Sequence, residues 1–501
     1  MGIVIRQSIK SSIISYAGVI IGTVNVVWLA ARFMPPSEVG LTKVLVEIAL
    51  FFTAFAQLGT VQITDRFFPQ FKDEAQSHGG FLVFLLLYPL IGFVLFCAVA
   101  FLLKDFFLSF YTEKAPQLID YFYYLLPLTG FMAYQNVLEA YSRVHFRIVV
   151  PTLVRELFLK LFNSLVITLY ALRLINLPTF VALLVISYGL AVVWLLLYIN
   201  HLGRLYLRVG FSAWNHPLLK QGVGYGLFII MGSMGVLLAN KIDILMLPAL
   251  SGLDYTVIYG MATLMTSVIE IPKRSITQIS IPLISQSWQT NDLGKIRELY
   301  RKTAINQLLA GTFIFLGIWC NIDDIFHLVP KEEIYRQGKY VVAFLGIAKL
   351  IDMATGVNAE IILYSKFYKF STIAIITLAL LTVVTNYIFI PLYNVNGAGL
   401  AVALSIFVFT VIKCIFVAVK FRMHPFTIKT CYVLLMALLV YFTAMLIPPA
   451  SSGTLAPLGH ILLRSSVITV LFGSLTLMWH VSEEVDALVT ALYRKVRSLV
   501  R

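Results

Sequence analysis

Charge is scarce in this chain. Asp, Glu, Lys and Arg make up 12% of its 501 residues, and hydrophobic residues 59%. An ordinary soluble domain carries about 25% charged residues. The shortage excludes a soluble enzyme and leaves a polytopic membrane protein, for which length is no guide to domain count. Cysteine is scarce too. Cys97, Cys320, Cys414 and Cys431 lie in or beside apolar runs, with no C-x-x-C spacing. A disulfide scaffold and a zinc site are thereby set aside, and the cysteines read as structural. The chain has no P-loop, no H-E-x-x-H and no G-x-S-x-G, so no enzyme, metal or cofactor is expected. One acidic pair stands out, Asp323–Asp324 in "NIDDIFHLVPKEE" beside His327, and it reads as a solvated outer loop. His145, His201 and His216 lack metal-ligand spacing. Acids are the rarer sign, 24 against 38 Lys and Arg, for a net charge of +14. In a membrane protein that excess belongs in cytoplasmic loops rather than on nucleic acid, and no nucleic-acid partner is expected.

What is present is a series of apolar runs. A span needs about 20 mostly apolar residues. Fourteen candidates occur, near 9–31, 39–63, 81–103, 117–139, 149–172, 178–200, 222–248, 255–281, 303–321, 339–364, 370–391, 397–419, 428–447 and 460–480. The first run follows Arg6 and Lys10 and has no evident cleavage site, so it reads as a retained helix. "MGIVIR" lacks the Ser/Thr of a myristoylation signal. With both termini cytoplasmic, the inner loops hold 23 Lys and Arg and the outer loops 8. The inner set includes Lys413, and the outer set includes Arg464. That bias supports the even count and the orientation.

The chain also resembles itself. At an offset of 213 residues Pro35 meets Pro248 and Pro69 meets Pro282. At 223, "YSR" at 141–143 faces "YSK" at 364–366, and Asn163 meets Asn386. These registers fit a duplicated six-helix unit with parallel repeats. The expected plan is an N-lobe at 1–200 (helices 1–6), a linker at 201–221 and a C-lobe at 222–420 (helices 7–12). Helices 13 and 14 follow at 421–480, then a tail at 481–501. In the tail Val485, Leu488, Val489, Leu492, Val496 and Leu499 share one helical face, and Arg494, Lys495, Arg497 and Arg501 add positive charge. It reads as an amphipathic helix on the cytoplasmic leaflet.

Four segments carry a family resemblance. They are "MPPSEVGLTKVLVEIALFFTAFAQLGTVQITDRFFPQF", "YGMATLMTSVIEIPKRSITQISIPLISQSW", "DLGKIRELYRKTA" and "NYIFIPLYNVNGAGLAVALS". In order and spacing they resemble helix 2 with its loop, helix 8, the basic linker after it, and helix 11, a Gly-Ala-Gly turn (Gly397-Ala398-Gly399) and helix 12 of the Wzx-like O-antigen flippases. Those belong to the multidrug/oligosaccharidyl-lipid/polysaccharide exporter superfamily. The resemblance covers most of residues 1–425. It implies an all-α protein of the bacterial inner membrane that serves lipopolysaccharide and polysaccharide biosynthesis. The implied cargo is an oligosaccharide on undecaprenyl diphosphate, moved to the outer leaflet by alternating access. H+ or Na+ would drive it, and a polymerase or ligase of glycan assembly would be a partner. Helices 13 and 14 would shelter the lipid tail among membrane lipids. A lipid II flippase, a multidrug or cation antiporter of the same superfamily, and a non-transporting scaffold are the alternatives.

The candidate site follows from charges inside spans. Seven are basic: Lys43, Arg155, Lys160, Lys241, Lys273, Arg274 and Lys349. Six are acidic: Glu47, Glu156, Asp243, Glu270, Asp352 and Glu360. A charge at mid-bilayer costs a few kcal/mol and so faces protein or water. Lys43/Glu47, Glu156/Lys160 and Glu270/Arg274 are i,i+4, and Lys349/Asp352 is i,i+3, so each pair shares a helix face. Lys241 and Asp243 diverge. Such pairs either lock helices together or line a polar cavity between the lobes. In the second reading Lys43, Glu47, Asn25, Arg155, Lys241, Lys273, Arg274 and Lys349 bind substrate, with cations on the diphosphate. Asn25, Asn240, Gln57, Gln278 and tyrosines suit the sugar. Asp243, Glu270 and Asp352 are the ion-coupling candidates. Pro272, between Glu270 and Lys273, is expected to kink helix 8.

Overall fold

The computed structural model of the protein describes residues 2–68, 71, 80–207, 217–447, 456–487 and 489–490. Pro69, the linker core at 208–216 and the tail's Leu488 and 491–501 lie outside these residues, as does the Asn240 side chain. All regular structure among the described residues is helical. Seven helices among the described residues are long and apolar enough to cross a membrane. The chain is a multi-pass membrane protein. Each expected span falls on helix, but several helices are broken or charged.

By contact the chain divides into two compact units, Met1–Val257 and Ile258–Arg501. In the first, α1 (Gly2–Val24) continues through a π-helical turn, Asn25–Ala30, into Ala31–Phe33. Then come α2 (Pro36–Ala56), α3 (Thr60–Phe67), α4 (Phe81–Leu102) and α5 (Leu125–Val144). Next is α6, which is Val149–Leu153, a second π-helical turn at Val154–Phe158, and Leu159–Ala171. α7 (Leu177–His201) and α8 (Pro217–Leu250) complete it. The expected span 39–63 is not one helix. It turns at Leu58 (φ 47°) and Gly59 (φ 71°). A Cβ on Gly59 would meet the Gly226 Cα at 2.7 Å, so only glycine permits α8 to pass there. Helix α5 packs on α2 and α7, α1 on α6, and α8 on α2 and α3. Buried Leu41, Val44, Leu45, Ile48, Leu125 and Val185 form one core of this unit.

The second unit contains most of α9 (Leu253–Ser267), then α10 (Ile271–Gln289) and α11 (Leu293–Trp319). It continues with α12 (Lys339–Met353), α13 (Asn358–Leu363), α14 (Tyr368–Phe421), α15 (Ile428–Met445) and α16 (Ala456–Met478). The 54 residues of α14 are two helices meeting at Asn394 (φ 50°, ψ −128°). The chain doubles back so tightly that a Cβ on Gly397 would come within 1.9 Å of the Phe389 carbonyl oxygen. The reversal is therefore at Asn394, and Gly397-Ala398-Gly399 already belongs to the following helix. Helix α12 packs on α14, and α11 packs on α10, α12 and α15. Outward faces stay apolar, as for Leu380, Leu438 and Phe442. Lipid, unlike water, gives no drive to bury such side chains, and close helix packing falls to small and hydroxyl residues.

Charges hold the far end of this unit. Asp324 and Arg464 are both buried and pair at 2.8 Å. Arg464 also donates to the Cys320 and Ile447 carbonyls, at 2.7 and 2.8 Å. The solvated loop expected for Asp324 is thus corrected, and so is the outer-loop place of Arg464. Asp323 differs from its neighbour. It pairs at the surface with Arg336 at 3.0 Å and Lys339 at 2.8 Å.

Candidate functional site

In the second unit the charged residues of α10, α12 and α14 meet. The expected single helix 255–281 breaks before them. α9 ends at Ser267, a 3-10 turn spans Val268–Glu270, and α10 starts at Ile271. Pro272 sits at the first turn of α10. There its missing N–H costs nothing, and its fixed φ favours a helix start. The proline therefore starts a helix where the sequence suggested a kink within one. The break sets Glu270 in the junction, with Lys273 and Arg274 in the first turn behind it.

Glu270 joins two cations. Its Oε1 lies 3.0 Å from Lys349 Nζ and its Oε2 3.1 Å from Arg274 Nη2. The expected Glu270/Arg274 pair is present. The expected Lys349/Asp352 pair is not, because Lys349 reaches across from α12 to the turn before α10. Asp352 instead joins Lys273 and Lys413, the latter at 3.4 Å. Lys413 is a correction. It is buried on α14 with only 6% of its side chain exposed, and does not belong to a cytoplasmic loop. Its Nζ also lies 4.1 Å from the centre of the Phe409 ring, a cation–π contact. Glu360, on α13, feels the Lys273 and Lys413 charges. Lys273, Arg274, Lys349 and Lys413 thus face Glu270, Asp352 and Glu360, leaving one cation in excess. Arg274 is the open member, with 71% of its side chain exposed.

Among the described residues of the first unit, the expected intramembrane charges fall in two clusters. In one, Lys241 of α8 pairs with Glu47 of α2 at 2.9 Å. Lys43 lies in the field of Glu47, Lys241 and Asp243. The expected Lys43/Glu47 pair gives way because α8 packs on α2 and delivers Lys241 to the carboxylate. Asp243 is buried. The second Glu47 oxygen, Oε2, is buried without a hydrogen bond. In the other cluster, the π-helical turn of α6 sets Arg155 2.8 Å from Glu139 and 3.3 Å from Glu156. Lys160 pairs with Glu156 at 2.7 Å, as expected. The π-helical turn of α1 sets Asn25 against α6. Its Nδ2 donates to the Lys160 carbonyl at 2.7 Å, and its Oδ1 accepts from Ser164 at 2.6 Å. Asn25 and Arg155 therefore belong to one cluster, and Lys43, Glu47, Lys241 and Asp243 to another. Glu139 was missed because no basic residue lies three or four positions from it on its own helix except Arg143, which pairs with Asp65 at 2.9 Å. Of the sugar candidates, Gln278 is exposed, while Gln57 has its Oε1 buried without a partner. Among the described residues, no three His, Cys, Asp or Glu are grouped to hold a metal.

No family model and no curated protein matches the chain. Solved structures do. An inward-closed structure of the lipid II flippase MurJ superposes with a TM-score of 0.70 at 12% identity, covering 94% of this chain and 99% of that one. An inward-facing multidrug resistance MATE family transporter of the MOP superfamily gives 0.62 at 14%, covering 81% and 94%. The chain has the fold of these transporters. A MOP superfamily transporter from Pyrococcus furiosus also shares it, with a TM-score of 0.51 at 15% identity over 84% and 95%. At such identities the likeness concerns the fold. The all-helical reading and the superfamily fold expected from the sequence agree with it. Nothing in it distinguishes an O-antigen flippase.

Proposed function

We propose that the protein is a flippase for a saccharide carried on a polyprenyl diphosphate, moved from the cytoplasmic to the outer leaflet by ion-coupled alternating access. The excess cation of the α10–α12–α14 cluster is the observation that carries this reading. A diphosphate lipid is an anion, and a guanidinium with an exposed fork is the side chain that best grips phosphate. Arg274 would make that contact. Lys273, Lys349 and Lys413 would supply the surrounding field, while Lys43, Lys241 and Arg155 would serve the cargo in the first unit. Asn25 would hold α1 on α6 and act by position. Glu270, Asp352 and Asp243 are proposed to carry the coupling H+ or Na+, since a proton or sodium ion could take the place of the cations that now pair with Glu270 and Asp352.

The proposed setting is a bacterial inner membrane with both termini cytoplasmic, and the cargo an O-antigen-type oligosaccharide for lipopolysaccharide assembly. The six-helix lobes of the duplicated plan belong to the same proposal. A lipid II flippase is the second reading. The likeness to the lipid II flippase MurJ, over 94% of this chain and 99% of that one, supports it. A cation antiporter fits less well, because its site should be dominated by acids.

The test is transport of a fluorescent lipid-diphosphate oligosaccharide in proteoliposomes, with and without a proton or sodium gradient. Movement by the intact protein and its loss in Arg274→Ala would support the proposal and name the ion. Efflux of a cationic dye with no lipid movement would sink it.

A further inference from the structure

A second basic site lies apart from that cluster. Where α11 and α15 begin and α16 has just ended, the second unit forms an open cavity of about 470 Å³. That volume lies within the range of small-ligand pockets, roughly 300–1,000 Å³. Its depth is fixed by its walls. Ile428–Met445 and Pro457–Met478 are both long and apolar enough to cross a membrane, one starting and one ending beside the cavity. A bilayer places lipid headgroups at that level.

The ion pairs around the cavity leave positive charge over. Lys302 pairs with Glu298 at 2.9 Å and Glu483 at 3.4 Å, and Lys429 reaches Glu483 at 4.0 Å. Glu484 accepts from Asn306 Nδ2 at 3.0 Å. Every lining carboxylate thus has a partner. Arg297 and Arg301 also line the cavity, one turn apart on α11. Among the described residues neither forms an ion pair. The Arg301 Nε is buried and makes no hydrogen bond. Its Nη2 lies 3.4 Å from His424 Nε2. His424 Nδ1 faces the Phe426 carbonyl at 3.0 Å, so Nδ1 carries the hydrogen and Nε2 accepts. A half-buried guanidinium without a carboxylate partner is costly unless another anion pairs with it. Phosphate oxygens meet two such forks well.

The wall beside the cavity suits an acyl chain. Ile428, Tyr432, Leu435, Leu439 and Phe442 are all exposed and follow one another at three- and four-residue steps along α15. They form one apolar stripe leading away from the two arginines. We propose that this cavity binds the phosphate of an anionic membrane lipid, held by Arg297 and Arg301, with an acyl chain on the α15 stripe. The site lies apart from the α10–α12–α14 charge cluster. It ties α11, α15 and α16 to the lipid composition of their leaflet.

The test uses the full chain in detergent, titrated with dioctanoyl phosphatidylglycerol, dioctanoyl phosphatidylcholine and inorganic phosphate, and read by native mass spectrometry. Saturable phosphatidylglycerol binding is expected. Arg297→Gln with Arg301→Gln should weaken it about 30-fold, each basic residue near a membrane surface contributing about a factor of five. Arg297→Gln alone, at an exposed side chain, should weaken it about fivefold and serves if the double variant does not fold. Lys295→Gln, exposed and outside the cavity, should change nothing. Equal affinity of the wild type and the arginine variants would overturn the site. Equal affinity for phosphatidylcholine would overturn its charge selectivity. Displacement by inorganic phosphate at micromolar concentration would move the assignment from a lipid to the free ion.

Discussion

The two units treat intramembrane charge differently. In the first, Lys43 and Lys241 face Glu47 and Asp243, and Arg155 and Lys160 face Glu139 and Glu156. Each cluster is balanced. In the second, four cations face three acids around α10, α12 and α14, and the surplus ends in an exposed arginine. Balanced pairs can hold helices together without any ligand. An unbalanced cluster with an open guanidinium is left half-finished, and a bound anion is what would complete it. The lesson is that net charge within a cluster says more about function than the number of ion pairs in it.

The sharpest way to break the comparison is at the pair that has no functional reading. Arg464→Ala should leave Asp324 buried and unpaired. Removing one partner of a buried pair costs about 3–5 kcal/mol, so the protein should lose most of its folded yield, measured by fluorescence size-exclusion chromatography. Lys413→Met comes next. Asp352 keeps Lys273, so the folded yield should fall by less than half while lipid-saccharide export falls at least tenfold. Arg274→Ala should cut export as strongly with stability changed by no more than about 0.5 kcal/mol, because its pair is exposed. Equal loss of protein and export would return Arg274 to a locking role.

In the first unit, a double-mutant cycle of Glu47→Gln and Lys241→Gln should give a coupling of roughly 1 kcal/mol in thermal stability. A coupling near zero would show that the balance there is incidental. The smallest effect concerns pH. Partial burial pushes the Asp323 carboxyl up, but the Lys339 and Arg336 charges outweigh it and hold it below the usual carboxylate range. A lowered folded-state value means its stabilisation is complete above about pH 4 and is lost as pH falls through the folded value. Asp323→Asn should flatten that acid limb of the melting curve by a degree or two.

Much of the fold was legible. Apolar runs long enough to cross a bilayer are a property of local composition, and each of them is helical here. The i,i+4 pairs Glu156/Lys160 and Glu270/Arg274 were legible for the same reason, since one helix alone brings them together. Lys413 and Arg464 were misplaced because position near a span's end looks like a loop when only hydropathy is read. Glu139 was missed because its partner comes from another helix.

The sequence by itself determined a helical, multi-pass, charge-poor protein, because backbone groups in lipid must be satisfied within the helix and side chains must match the hydrocarbon. It also determined which residues bear charge inside the spans. Only the tertiary structure decided which of them meet. Lys349 chose Glu270 over Asp352, Lys241 took the carboxylate expected for Lys43, and Lys413 joined Asp352. The reason is geometric. A long side chain in a medium of low dielectric seeks the nearest opposite charge, and in a packed bundle that charge is as readily on the next helix as on its own.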